Sequence, residues 1–197
     1  MKDDLLGYII IIFILFICYR LYLDSDFFHL KCIISDVNGK KYCVRERKNM
    51  EQASDLLAKT SEKMIKIVHY LEDKYKENEF VDRLVRRFNP NKIVEILPNS
   101  EYTAYSENKG KKLAFCLNIE KTQDNNLIDE NTLMFVALHE MTHIGTKSLG
   151  HKEEFWNNFK FMIKEASDCG IYTLVDYSKE NKTYCSMEIK DNPYFDL

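Results

Sequence analysis

The chain has 197 residues, 45% hydrophobic and 30% charged, which suits one folded domain with a small appendage and excludes disorder, collagen-like repeats and low-complexity architecture. Six glycines and three prolines leave room for long helices and argue against a turn-dense all-β fold. A formal net charge of −3 argues against a protein that lives on nucleic acid by bulk electrostatics.

Leu5–Tyr19 reads LLGYIIIIFILFICY and carries no charge; with Arg20 snorkelling, the apolar stretch reaches Leu23. As a helix it spans about 28 Å, just enough for a hydrocarbon core of about 30 Å. A cleaved signal peptide wants a basic start and a small-residue cleavage site, but Lys2 is followed by Asp3 and Asp4 and nothing like A-x-A follows. The reading is therefore an uncleaved single-pass transmembrane anchor within residues 1–30, with residues 5–23 in the bilayer, and one folded domain over residues 31–197. Arg20 and Lys31 follow the span and only Lys2 precedes it, so the positive-inside rule points the domain to the cytosolic side. The sequon Asn181-Lys182-Thr183 is glycosylated only on the lumenal side and is expected to be bare on that reading.

Lys31–Arg45 holds two β-prone runs around Asn38-Gly39, a pair suited to a two-residue type I′ hairpin. In that register Ile34 faces Cys43, and Cys32 is only diagonal to it. Outside the apolar run five cysteines remain, an odd number without any C-x-x-C, so mostly free thiols are expected, with Cys116 a packing residue. From Glu46 to Glu77, Met50, Ala53, Leu57, Thr60, Met64, Ile67, Leu71 and Tyr75 recur at spacings of three and four and predict a long amphipathic helix. His69 on it reads as a surface residue. A shorter helix over residues 79–88 follows, its Arg83, Arg86 and Arg87 forming a solvated face. Strands are predicted over residues 93–97, 102–106 and 112–118, then a polar loop over residues 120–126. Asp129 or Asn131 caps the next, strongly apolar helix. A last helix runs over residues 152–168 and stops at Gly170.

Three of the five histidines fall within HEMTHIGTKSLGH, at positions 139, 143 and 151. His139 and His143 are one helical turn apart, so both imidazoles leave one face and can grip one ion. Glu140 can reach a water on that ion without being a ligand; bound Zn²⁺ lowers the water's pKa toward about 7, and a carboxylate can then take the proton. The chemistry needs an open position, hence three protein ligands. Two imidazoles and a carboxylate in so apolar a helix would cost several kcal/mol if buried without partners, a penalty that a metal removes. For the third ligand, the metzincin pattern fails at Thr146 and Leu149. Glu165 lies twenty-two residues after His143 and His151 follows a turn-prone Ser148-Leu149-Gly150. His151 is preferred to Glu165.

LMFVALHEMTHIG, then GHKEEFWNNFKFMIKEA, GIYTLVDYS and the YCSMEI tail resemble the WLM and SprT-like zinc metallopeptidases, and within them the WLM-type metallopeptidases of large DNA viruses. The resemblance runs from about Lys31 to the C-terminus. It implies an α+β zincin-like metalloprotease domain with a small antiparallel or mixed sheet and an HExxH active-site helix, here preceded by the transmembrane helix. By the same resemblance His139, His143 and His151 are the zinc ligands and Glu140 the catalytic base. Phe155 and Trp156 hold the His151 helix in place, and the strand over residues 112–118 is the edge that pairs with an extended substrate. Tyr172, Tyr177 and Tyr184 are candidates to stabilise the oxyanion. The expected function is a membrane-anchored, zinc-dependent metalloendopeptidase acting on a protein or peptide, with no strong nucleic-acid signal and a host or virion membrane as its site. The competing reading is a structural membrane or virion protein that binds zinc without peptidase activity, which leaves Glu140 without a use.

Overall fold

The computed structural model describes residues 2–23, 30–123 and 126–196. Residues 24–29 of the expected anchor flank, and 124–125 within the expected polar loop, lie outside the described residues. The fold is α+β. Helix α1 (Lys2–Leu23) contains one window, Leu5–Tyr22, long and apolar enough to cross a membrane, and none of that window is buried against the rest of the protein.

Strands β1 (Leu30–Ile34) and β2 (Lys41–Arg45) form the expected hairpin in a different register. Cys32 pairs directly with Cys43, and Ile34 with Lys41. The loop is four residues long rather than two, because Ser35 takes part in the closure: Ser35 N donates to Lys40 O at 2.9 Å and Gly39 N donates to Ser35 O at 3.0 Å. Asp55 on the next helix fixes this loop by accepting from Ser35 Oγ at 2.5 Å and Asp36 N at 3.0 Å. Cys32 and Cys43 are thereby opposed, and they are disulfide-bonded.

Helix α2 (Met50–Lys74) buries Ala53, Leu57, Thr60, Met64, Ile67 and Leu71, the stripe predicted from spacing. It begins four residues later than predicted. The chain before it is occupied by Arg47, whose guanidinium lies between Glu95 (2.8 and 3.0 Å) and Asn118 (3.1 Å). Helix α3 (Glu79–Arg87) starts at Asn78, whose side chain accepts from Phe80 N and Val81 N. His69 is exposed, as expected.

Strands β3 (Ile93–Glu95), β4 (Ala104–Glu107) and β5 (Lys112–Phe115) complete a mixed five-stranded sheet in the order β1-β2-β3-β5-β4. β3 is parallel to β2 and β5, while β4 is antiparallel to β5. The sheet's two edges are thus β1 and, on the β5 side, β4. The expectation that residues 112–118 form an edge is corrected, since β5 is enclosed by β3 on one side and β4 on the other.

Helix α4 (Glu130–Gly145) is capped by Asp129, which accepts from Thr132 N at 2.9 Å. Asn131 is used elsewhere, in reciprocal 2.9 Å bonds with the backbone of Thr173. Helix α5 (Glu153–Asp168) ends in a Schellman closure, with Ile171 N on Ala166 O, Gly170 N on Ser167 O, and Gly170 at φ +72°. Strands β6 (Lys182–Tyr184) and β7 (Met187–Ile189) form a second hairpin whose turn residues, Cys185 and Ser186, both have positive φ. Its tip is pinned to the end of β5: Cys185 N donates to Asn118 O, Ser186 N donates to Ile119 O, and Cys185 is disulfide-bonded to Cys116. The expectation of free thiols is corrected for these four cysteines. Both bonds depend on chain positions far apart in sequence or on a loop length that composition does not reveal.

Candidate metal centre

α4 is apolar on nearly all sides because it runs through the core, with Leu133, Met134, Ala137, Leu138 and Met141 fully buried. Its last turns carry the HExxH residues. His139 and His143, four residues apart, leave one face, and the chain returns through Gly150, at φ +73°, to bring in His151 just before α5. The three Nε2 atoms lie 3.0, 3.1 and 3.2 Å from one another.

Among these contacts at most two can be hydrogen bonds at once, because a neutral imidazole nitrogen either carries a proton or a lone pair. One contact is always mismatched, and a single cation between the three nitrogens removes the conflict. A tetrahedral ion with bonds of about 2.0–2.1 Å separates its ligand atoms by about 3.3 Å, close to the spacing here. The donor set fits an imidazole-binding divalent ion such as zinc, copper, nickel or iron. Burial pushes His139 down to about 3, with the neighbouring His143 and His151 adding to it. Burial likewise pushes His143 down to about 4, helped by His151 and Lys109. These two lone pairs are therefore available at neutral pH.

Phe155 is fully buried beneath the triad, its ring centroid 4.8, 4.3 and 4.7 Å from those of His139, His143 and His151. Trp156 donates from Nε1 to His151 O at 3.1 Å. Phe155 thus packs under the triad, while Trp156 is 44% exposed and meets the rings of His151, Phe155 and Phe159. Glu165 does not join the cluster: its carboxylate accepts from Lys74 Nζ at 2.7 Å and Tyr75 Oη at 2.8 Å, tying α5 to the end of α2.

Glu140 is buried, at 7% exposure, and burial pushes its carboxyl up to about 7, against a hydrogen bond from the backbone of Ser106 on β4. The backbone of Ser106 on this edge strand thus lies near enough to the carboxylate to favour its charged form. Of the three tyrosines, Tyr172 and Tyr177 lie together against Phe135, their hydroxyls 3.5 Å apart. Tyr184 is near enough for the charge of Glu140 to act on it, but its hydroxyl donates to Thr103 O at 3.1 Å.

Sequence reasoning missed how the end of α4 is held. The last carbonyls of a helix lack intrahelical partners and carry the negative end of its dipole. Here three cations take them. Lys109 Nζ donates to His143 O, Thr146 O and Ser148 O, Arg87 donates to Ile144 O, and Arg83 donates to Gly145 O at 2.7 Å. The solvated-face reading of α3 is therefore corrected for Arg83, whereas Arg87 is exposed while reaching Ile144 O, and Arg86 is exposed and pairs with Asp82 on the same helix. The signal available in sequence was a run of cations; their target lay about sixty residues away.

No protein-family model matches the chain. It is 30% identical over 162 residues to uncharacterized protein R325 of Acanthamoeba polyphaga mimivirus, covering 80% of this chain and 81% of that protein. Uncharacterized protein 136R of Invertebrate iridescent virus 6 is 36% identical over 98 residues, 49% of this chain and 53% of the relative. Uncharacterized protein 042R of Invertebrate iridescent virus 3 is 34% identical over 101 residues, 51% and 57% of the two chains. The chain belongs to the viral protein family that includes mimivirus R325. Among solved structures, Wss1 from Saccharomyces cerevisiae is similar at 20% identity and a TM-score of 0.47, over 64% of this chain and 89% of that one. A Wss1 mutant gives 21% and 0.48.

Proposed function

We propose that this chain is a membrane-anchored zinc metalloendopeptidase, with residues 31–197 as its peptidase domain and α1 as its anchor. The observation that carries the reading is the convergence of three Nε2 atoms to within 3.2 Å, two from α4 and one from the chain just before α5, beside the buried glutamate that α4 also carries. His139, His143 and His151 are the ligands. Zinc held there would supply Lewis acidity to a water and to the carbonyl of the scissile bond. β4 receives the substrate as an added strand, since an edge offers backbone hydrogen bonds to any extended peptide. Glu140 takes the proton of the attacking water and returns it to the nitrogen of the departing chain. The backbone of Ser106, on the strand that would carry the substrate, favours the charged form of this carboxylate against its burial.

The experiment uses the full-length chain in detergent, its metal content by mass spectrometry and its action on a denatured protein. One zinc per chain, proteolysis by the wild type, and a Glu140→Gln variant that retains zinc but cuts nothing would support the reading. Retention of zinc by His151→Ala together with its loss from Glu165→Gln would overturn the ligand set. A zinc-loaded wild type inert toward every denatured protein would leave the structural reading standing.

A further inference from the structure

Four of the six cysteines are bonded in pairs, Cys32 to Cys43 and Cys116 to Cys185. Of the other two, Cys18 lies on α1 and Cys169 is half-buried near the end of α5, where burial pushes its thiol up and makes it slow to react. Thiol pairs of this kind persist in oxidising compartments and are kept reduced in the cytosol. The domain is large enough to build its own core, so the bonds are not a substitute for one.

A second feature is independent of the cysteines. Asn181-Lys182-Thr183 is the one Asn-x-Ser/Thr sequence in the chain with a residue other than proline between. Asn181 is exposed and stands at the entry to β6, outside any helix. The third feature is α1. An apolar helix of this length delivers the chain that follows it across a membrane when it is removed as a signal, or when it is kept as an anchor with its N-terminus on the cytosolic side. The opposing argument is the charge flank, and it amounts to a single cation, Arg20 and Lys31 against Lys2. Two disulfides and an exposed acceptor outweigh it.

We infer that the residues following α1 reside on the oxidising, lumenal side of a membrane, and that Asn181 is an N-linked glycosylation site there. This reverses the orientation expected from the flanking charges, and it is independent of whether the histidines bind a metal.

The test translates the full chain in the presence of endoplasmic-reticulum microsomes. The wild type should migrate more slowly, the shift should vanish on treatment with a peptide N-glycosidase, and neither Asn181→Gln nor Thr183→Ala should show it. Protease added to intact vesicles should leave the domain whole. Alkylation of the denatured, unreduced chain should label Cys18 and Cys169 only, and reduction should expose the other four. A domain digested in intact vesicles, an unshifted wild type, or free thiols at Cys32, Cys43, Cys116 and Cys185 would each overturn the inference.

Discussion

The ring of Phe155 lies on the imidazole of His143, with centroids 4.3 Å apart and planes 30° from parallel. The same ring meets His139 and His151 nearly edge-on, so one buried side chain sets the tilt of all three imidazoles. Phe155→Ala should cost about 3–5 kcal/mol in stability, the usual range for a fully buried phenylalanine. It should also release metal to a chelator that the wild type resists, and Phe155→Leu should recover part of both. Unchanged chelator resistance in Phe155→Ala would show that the triad needs no floor.

Gly145 closes α4 two residues after His143. A Cβ added there would lie 2.5 Å from the Phe80 ring and 2.9 Å from its backbone oxygen. The ring could turn aside; the backbone of α3 could not without moving Arg83, whose guanidinium holds Gly145 O. Gly145→Ala should therefore destabilise the fold by about 1–3 kcal/mol, the range for overpacking, despite alanine's better helix propensity. Urea denaturation measures this directly, and a stabilised variant would refute the packing argument.

Glu165 gives a pH signature. Burial alone would push its carboxyl up, but the hydrogen bonds from Lys74 and Tyr75 outweigh that and hold it below the ordinary 4.5. The unfolded chain then binds this proton more readily than the folded one. Its contribution to stability is fully present above the unfolded value and is lost as pH falls through the folded one. Melting curves of the wild type and Glu165→Gln should differ most at neutral pH and converge under acid, below about pH 4. A gap that stays constant from neutral pH into acid would mean the carboxylate's charge contributes nothing.

The two disulfides should not be equivalent. Cys32–Cys43 closes a sequence separation of 11 and Cys116–Cys185 one of 69. On the chain-entropy account these are worth roughly 3 and roughly 4 kcal/mol. Cys116→Ser should thus lower the denaturation midpoint further than Cys32→Ser, each measured against reduced wild type as the common limit. The reverse order would mean that native-state contacts at the β1–β2 hairpin, and not loop closure, set the effect.

The helices and the histidines were legible because their signals are local. A three-and-four spacing marks the buried stripe of α2, and one turn separates His139 from His143 whatever surrounds them. His151 was legible through the turn-prone residues before it. The first hairpin was misread for a reason that lies outside it: Asn38-Gly39 favours a two-residue turn, but Asp55 draws Ser35 and Asp36 into a longer loop. That shift in register is what opposes Cys32 to Cys43. The Cys116–Cys185 bond, the edge position of β4, and the service of Arg83, Arg87 and Lys109 to the end of α4 all depend on tertiary neighbours, which no spacing encodes.

Lys109 stands in the turn joining β4 to β5, where Asn108, Lys109 and Gly110 all have positive φ. Surface turns ordinarily tolerate changes in length. This one should not. A single residue added or removed would slide the register of the edge strand, turning its side chains to the opposite face. It would also withdraw the ammonium group from the carbonyls of His143, Thr146 and Ser148. Loss of strand register and loss of the helix clamp would arrive together. Within the viral family, chains that keep the three histidines are therefore expected to hold this turn at constant length while neighbouring loops vary.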